Sequence, residues 1–211
     1  ALDLAEAVAS ELTAGGATAR AFQVDVTNRM SVAALVDSVI AAFGRIDILV
    51  ANAGGPPAGT FASTPLDAYL PALELNLLST VAMCTEAVPA MAERGWGRVV
   101  AITSISVRQP IPTLILSNTA RAGLTGFLKT LALEVAGQGV TVNSVQPGSH
   151  ATERLRSMYG DLSAVAADTP TGEVGRPEDF GTVVAFLCSD QARFITGAAL
   201  PVDGGAYRAL L

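Results

Sequence analysis

The stretch RVVAITSISVRQPIPTLILSNTARAGL, from Arg98 to Leu124, contains the pattern that decides the fold. It opens with a short apolar run, 98–103, of the kind that forms a strand buried on both faces of a parallel sheet. A loop with two prolines follows, and apolar residues at helical spacing then predict a long helix over about 114–136. A strand, a loop and a helix in this order make one unit of an α/β fold.

The same alternation of strand and helix patterns continues in both directions from this stretch. It predicts further strands over 19–24, 46–50, 140–145 and 198–202, and further helices over 4–13, 31–43, 65–93 and 177–189. A polar segment covers 149–175. We therefore predict a three-layer, doubly wound, Rossmann-like parallel sheet in a single domain that spans residues 1–211.

The composition narrows the possible classes of function. Half of the residues are hydrophobic, 15% are charged and the net charge is −6, which indicates a globular chain and argues against nucleic acid or a membrane surface as a partner. No apolar run reaches the roughly 18–20 residues of a membrane span, and no signal peptide is recognised, so we expect a cytoplasmic protein. Cys84 and Cys188 lie in apolar helical patterns and are predicted to be buried free thiols. No metal site is predicted.

Several polar side chains occupy positions that suggest a site. Ser104 follows the strand over 98–103, at the sheet edge where open α/β folds bind ligands. Ser117 and Arg121 are four residues apart on a predicted helix, so they face the same spot. Asn76 interrupts an apolar helical run and needs hydrogen-bonding partners there.

The spacing of Ser104, Ser117 and Arg121 resembles the active-site segment of the short-chain dehydrogenase/reductase family. That family has Tyr at the position of Ser117 and Lys at the position of Arg121. The resemblance implies that Ser104 orients a substrate carbonyl and that Arg121 contacts the nicotinamide ribose. It also implies that Asn76 kinks its helix and holds a water molecule in a proton relay. The alternatives are a satisfied core Asn76 and ordinary helix-surface roles for Ser117 and Arg121.

Other motifs extend the resemblance over nearly the whole chain, and it is nearest to the 3-oxoacyl-carrier-protein reductase branch. Asn52-Ala53-Gly54 is similar to the family triplet that braces the sheet beside the cofactor. Pro147 and Gly148 with Thr152 are similar to the motif that contacts the nicotinamide amide. Asp25 and Val26 resemble the residues that contact adenine, although Asp25 could equally cap the next helix or turn. Residues 195–205 resemble the C-terminal signature.

The two replacements at the active-site positions change the expected chemistry. A phenol has a pKa near 10 and can be tuned, whereas a serine hydroxyl is a far weaker acid and usually needs a base. Arg121 keeps the positive charge but does not lose its proton. His150, Tyr159 and the more distant Tyr69 are alternative proton donors, and sequence alone does not select among them; an ordinary surface role for His150 is the simpler interpretation.

The glycine-rich turn that normally cradles a dinucleotide phosphate is not found, since no G-x-G-x-x-G occurs in this sequence. We therefore expect that the first strand-helix-strand unit of the fold is absent from this chain and that the natural protein is longer, the alternative being a real deletion with rearrangement. The residues that select NAD or NADP belong to that unit, so the two cofactors are not distinguished.

The function implied by the resemblance is that of a divergent NAD(P)-dependent oxidoreductase that acts on a small carbonyl or alcohol substrate. The alternative is a catalytically silent homologue that serves as a binding or assembly subunit. In either case we expect a homodimer or homotetramer formed through the helices over 65–93 and 114–136.

Overall fold

The computed structural model describes residues 2–210 and contains one four-stranded parallel sheet in the order β1-β2-β3-β4. Each strand is followed by helical segments before the next strand begins, which confirms the predicted Rossmann-like α/β fold. The strands are β1 (Ile48–Ala51), β2 (Gly97–Ile102), β3 (Val140–Pro147) and β4 (Ala199–Val202).

Eight α-helices are assigned within residues 2–210; six of them correspond to the five predicted helices, and the two that lie within the polar segment 149–175 were not predicted. They are α1 (Leu2–Ala14), α2 (Arg29–Phe43), α3 (Tyr69–Leu73), α4 (Ser79–Glu93), α5 (Ile115–Val135), α6 (Glu153–Tyr159), α7 (Ser163–Asp168) and α8 (Pro177–Leu187).

The core consists of one apolar layer on each face of the sheet. Successive side chains of a strand point to opposite faces. In β2, Val99 therefore packs with α2, α4 and α5 on one face, while Val100 packs with Val145 and α8 on the other. The sheet thus lies between two helical layers, and only its edges and strand ends are open to ligands.

One long helical run contains three kinds of helix. It begins as a 3₁₀ turn over Leu66–Ala68, continues through α3, widens into a π-helix over Glu74–Leu78 and ends as α4. The run thus begins one residue later than predicted, and Pro65 is the extended residue just before its first turn. The run has the length and composition of a membrane span, but Met83 and Met91 lie in the core, as in a core helix of a globular fold.

The prediction of a strand over 19–24 is wrong. These residues have no regular secondary structure, and no described strand pairs with them. Val24 still packs against the core, so the apolar pattern reflects burial rather than sheet pairing. A strand needs a neighbouring strand to bond its backbone groups, and the segment's own sequence does not supply one.

The strand predicted over 46–50 is found over Ile48–Ala51, at one end of the described strand order. Strand β1 pairs only with β2 and forms an edge. Ile48 and Val50 remain 45% and 46% exposed, because α8 covers the same face of the sheet over β2 and β3 instead.

The two cysteines differ in burial. Cys84 lies in the core, and burial raises the pKa of its thiol to about 12. Cys188 is half-buried, and burial raises the pKa of its thiol as well. Both are free thiols, as predicted, but only Cys84 is fully buried.

Candidate functional site

A cavity of about 560 Å³ opens at the carboxyl ends of β1, β2 and β3. Ligand pockets commonly have volumes of about 300–1,000 Å³, so this one is large enough for a small molecule or part of a larger one. Nine of the predicted site residues line it: Asn52, Ala53, Gly54, Ser104, Ser117, Arg121, Pro147, Gly148 and Thr152.

Ser104 follows β2 directly and begins a 3₁₀ turn over Ile105–Val107. Its Oγ accepts a hydrogen bond of 3.1 Å from the backbone N–H of Ser106. A hydroxyl can donate once while it accepts, so the O–H of Ser104 remains able to donate to a ligand in the cavity. The local turn therefore fixes the oxygen without using its proton.

Ser117 and Arg121 lie one turn apart on α5, and both are buried. Nη1 of Arg121 donates a 2.9 Å hydrogen bond to the carbonyl oxygen of Ile102, the last residue of β2. This bond holds the guanidinium at the strand end beside Ser104. The other N–H groups of Arg121 do not take part in it. Burial, and to a smaller extent the nearby charge of Arg154, lowers the pKa of Arg121.

The start of α5 is held in place by the loops around it. Nδ2 of Asn118 donates to the carbonyl oxygen of Ile111 at 2.9 Å. The N–H of Ile115 donates to the carbonyl oxygen of Gly59 at 3.2 Å, which joins α5 to the loop after β1. Ser117 therefore has a fixed backbone between two anchored neighbours.

Asn76 lies in the middle of the π-helix, is buried and is not part of the cavity wall. Its Nδ2 donates a 2.6 Å hydrogen bond to the carbonyl oxygen of Gly54. Asn76 therefore holds in place a loop residue that lines the cavity. Its Oδ1 is buried without a hydrogen-bond partner among the described residues. π-Bulges are frequent at functional sites, and an unsatisfied buried acceptor next to a cavity is a natural position for a bound water.

The segment after β3 forms another wall of the cavity. The N–H of Gly148 donates to the carbonyl oxygen of Val202 on β4 at 3.0 Å. The Oγ1 of Thr152 accepts a 3.3 Å hydrogen bond from the N–H of Leu155 and caps α6. The wall therefore consists of an anchored strand end followed by a capped helix.

Of the three candidate proton donors, only His150 lines the cavity; Tyr159 and Tyr69 do not. Nδ1 of His150 lies 3.2 Å from the carbonyl oxygen of Gly148. A carbonyl only accepts hydrogen bonds, so this contact assigns a proton to Nδ1. The ring also packs edge-on against Phe180, with 5.0 Å between ring centres.

Asp25 and Val26 lie outside the cavity. The carboxylate of Asp25 accepts hydrogen bonds from the N–H and hydroxyl of Thr27, which hold the pKa of Asp25 below its usual value. Asp25 therefore closes a turn in this structure, while Asn28 caps α2. Val26 lines a separate cavity beside α4.

Seven residues that the sequence analysis did not single out also line the cavity: Gly55, Ile102, Thr103, Leu114, Arg154, Leu155 and Met158. Arg154 stands out among them because it brings a second guanidinium to the site. In the sequence, its position two residues after Thr152 was the signal that could have placed Arg154 at the site. Among the described residues 2–210, no cluster of His, Cys, Asp and Glu is arranged to hold a metal ion.

Comparison with known proteins identifies the family to which the chain belongs. A family model described as enoyl-(acyl carrier protein) reductase matches residues 2–207. The chain belongs to the short-chain dehydrogenase/reductase family. It is 35% identical, over 193 residues, to the 3-oxoacyl-[acyl-carrier-protein] reductase FabG of Salmonella typhimurium, which covers 91% of this chain and 79% of FabG.

Two solved structures support the assignment. A short-chain dehydrogenase/reductase from Burkholderia xenovorans superposes with a TM-score of 0.90 at 32% identity, covering 100% of this chain and 83% of that one. ElxO, solved with NADP bound, superposes with a TM-score of 0.83 at 28% identity, covering 89% of this chain and 78% of that one. The chain is thus a member of a family of NAD(P)-dependent oxidoreductases, close to the 3-oxoacyl-carrier-protein reductase branch.

The described residues fit the nicotinamide half of such a cofactor. A side chain built on Gly54 would meet no atom within 4 Å, so the backbone beyond β1 is open to a ligand. Asn52, Gly148 and Thr152 supply polar groups around the same space. When bound, the nicotinamide supplies or accepts a hydride.

We predict that Asn76→Ala loosens the loop after β1, because it removes the side-chain bond to Gly54. The free energy of unfolding should fall by about 0.5–1.5 kcal/mol, the usual net contribution of one hydrogen bond. Amide hydrogen exchange should become faster in peptides that cover residues 52–58. Asn52→Ala is the matched control, since Asn52 is an exposed Asn in that loop; equal exchange in both variants would contradict the supporting role of Asn76.

Proposed function

We propose that this protein is a divergent NAD(P)-dependent oxidoreductase that interconverts a carbonyl and an alcohol in the cytoplasm, with residues 2–210 folded as one domain. The observation that carries the proposal is the cavity at the carboxyl ends of β1–β3. There, Ser104, Ser117 and Arg121 line the same cavity as Asn52–Gly54 and Pro147–Gly148. Such a cavity suits a flat heteroaromatic ring placed beside a small polar substrate.

The proposed role of Ser104 and Ser117 is to hold the substrate oxygen. Both hydroxyls can donate a hydrogen bond to a carbonyl oxygen while their own oxygens accept another. Donors that are already positioned by the protein stabilise the negative charge that develops on that oxygen as the carbonyl is reduced. Ser117 acts in this proposal as a donor of a hydrogen bond and not as the acid.

Arg121 supplies a fixed positive charge in the same place. In the family, a lysine at the position of Arg121 lowers the pKa of the catalytic phenol. With Ser117 in place of the phenol, no such acid is there to be tuned. Arg121 is proposed instead to bind the cofactor ribose through its free N–H groups and to stabilise the developing alkoxide by its charge.

His150 is the proposed source of the proton. It is the one titratable group besides the arginines among the described residues that line the cavity. A protonated imidazole carries an N–H on each ring nitrogen, so the charged ring can protonate the alkoxide. Nδ1 contacts the Gly148 carbonyl, and Nε2, which lies beside Gly175, is the nitrogen proposed to give up the proton.

A second function is favoured by one specific observation. Among the described residues of the cavity wall there is no Tyr, Lys, Asp or Glu, so the acid that the family normally uses has no direct replacement. A homologue that binds the cofactor without turnover and acts as a binding or assembly subunit would need none. Cofactor binding and turnover, measured separately, distinguish the two functions.

Self-association is proposed through the long helical run over 65–93 and through α5. Large apolar side chains on these helices are exposed, and they are Leu66, Leu70, Leu78 and Leu133. The exposed face of α5 also carries the small residues Ala122, Gly123 and Gly126, which allow a second helix to approach closely. Exposed apolar patches of this kind commonly mark interaction surfaces.

We predict that NADPH or NADH binds the purified protein and that Arg121→Ala weakens the binding about tenfold or more. Loss of charge-assisted hydrogen bonds costs about 1.5–3 kcal/mol, and about 1.4 kcal/mol is a factor of ten. The measurement is a titration followed by nicotinamide fluorescence. Arg193→Ala, which removes an exposed arginine outside the cavity, should bind like the wild type. No binding of either cofactor by the wild type would contradict the enzyme proposal.

We also predict that His150→Gln lowers kcat for a small ketone by about 10²–10⁴-fold, the range typical of general acid catalysis. The affinity for cofactor should stay within about twofold. Tyr159→Phe is the control, since Tyr159 lies outside the cavity. Full turnover in His150→Gln would exclude this proton donor, and absence of turnover in the wild type despite cofactor binding would favour the silent subunit.

The proposed interface is tested by Leu133→Asp, which places a charge at an exposed apolar position of α5. We expect light scattering to show a dimer or tetramer for the wild type and a smaller species for the variant. Met30→Asp is the control, because Met30 is similarly exposed but lies on α2. A wild type that is monomeric at micromolar concentration would contradict the proposed assembly.

A further inference from the structure

The charges on the cavity wall do not balance. Arg121 and Arg154 both line the cavity, and none of the described residues that line it is Asp or Glu. Arg121 has one hydrogen bond, to a neutral carbonyl oxygen. The side chain of Arg154 forms no hydrogen bond or ion pair with another residue in 2–210. This contrasts with Arg45, Arg94, Arg98 and Arg176, each of which lies within 4 Å of an Asp oxygen.

Arg154 reaches across the mouth of the cavity from α6 to the loop after β1. A side chain built on Gly55 would place its Cβ 2.7 Å from Nη2 and 2.9 Å from Nη1 of Arg154. These distances are too short for real contacts, so the guanidinium can lie there only because residue 55 is glycine. Gly55 on the opposite wall thus leaves room for the guanidinium of Arg154.

The two guanidinium groups are close enough to affect each other. Arg154 contributes to lowering the pKa of Arg121, after the larger effect of burial. Two like charges beside the same cavity repel each other. An anion between or beside them would remove the repulsion, and guanidinium groups bind carboxylate and phosphate oxygens with paired N–H donors.

We propose that Arg154, together with Arg121, forms an oxyanion-binding pair that takes a carboxylate or phosphate group of a ligand in this cavity. The proposal rests on the proposed function for the identity of that ligand. The oxyanion belongs either to the dinucleotide, as one of its phosphates, or to a substrate that carries a carboxylate near its carbonyl group. Both sources have the same chemistry at the arginines, and Arg154 determines specificity in either case.

The test compares the wild type, Arg154→Gln, Arg154→Lys and the control Arg156→Gln, which makes the same change of charge on α6 outside the cavity. Each protein is titrated by calorimetry with NADPH, with acetoacetate and with inorganic pyrophosphate. Arg154 is exposed, so the variants should fold, and unchanged circular dichroism and melting temperature would verify this.

We expect Arg154→Gln to bind at least one of the three probes about tenfold or more weakly than the wild type does, with partial recovery in Arg154→Lys. Arg156→Gln should stay within about twofold. Weakening for NADPH and pyrophosphate but not for acetoacetate would identify a phosphate of the cofactor, and the opposite pattern would identify a substrate carboxylate. The difference between wild type and Arg154→Gln should also shrink as salt rises, which a purely structural role would not cause.

The proposal is overturned if the wild type binds none of the three probes, or if Arg154→Gln binds all of them as the wild type does. Its failure is separable from failure of the proposed function. A wild type that binds pyrophosphate or acetoacetate through Arg154 but binds neither NADPH nor NADH would keep the oxyanion pair and reject the oxidoreductase. The opposite result is also possible to recognise. If Arg121→Ala loses NADPH binding while Arg154→Gln binds all three probes like the wild type, the oxidoreductase proposal stands and the oxyanion pair is rejected.

Discussion

The parallel pairing of β2 with strands on both sides is the constraint on which the site depends. Five of the six residues of β2 are buried, and it pairs with β1 through Val99↔Leu49 and with β3 through Val99↔Val142. Buried backbone groups must find hydrogen-bond partners, so the register of these strands is strongly restricted. Because the strands run in one direction, their carboxyl ends open on the same cavity, which Asn52, Ser104 and Gly148 all line.

The helices bring to this edge what the strands alone do not provide. Arg121 is carried by α5 and is bonded to the end of β2, while Asn76 is carried by a π-helix and is bonded to the loop after β1. Each of these contacts joins a helix to a strand end by one polar side chain. The site is therefore stiff on the side of α5 and the π-helix, whereas Arg154 approaches from the short helix α6 and has no anchor of its own.

In the proposed function, the chemistry of the site differs from the family pattern in one respect above all. Positive charge is retained and even doubled, by Arg121 and Arg154, but the acidic phenol is not retained. An arginine keeps its proton, so it can hold and orient an oxygen-rich group without exchanging protons with it. A site of this kind favours binding and charge stabilisation, and His150 is our proposed source of the proton.

The sequence alone determined the order of the four paired strands, of the helices other than α6 and α7, and the position of each motif, because apolar periodicity and spacing are local properties. The helix predicted over 31–43 is found over Arg29–Phe43, and the strand predicted over 140–145 is found over Val140–Pro147. The segment 19–24 looks like a strand but has no partner, and pairing is not encoded in the segment itself. The placement of Asn76 beneath Gly54 and of Arg154 against Gly55 came only from the folded chain. Those neighbours are far apart in sequence, and only the packing of helices against the sheet brings them together.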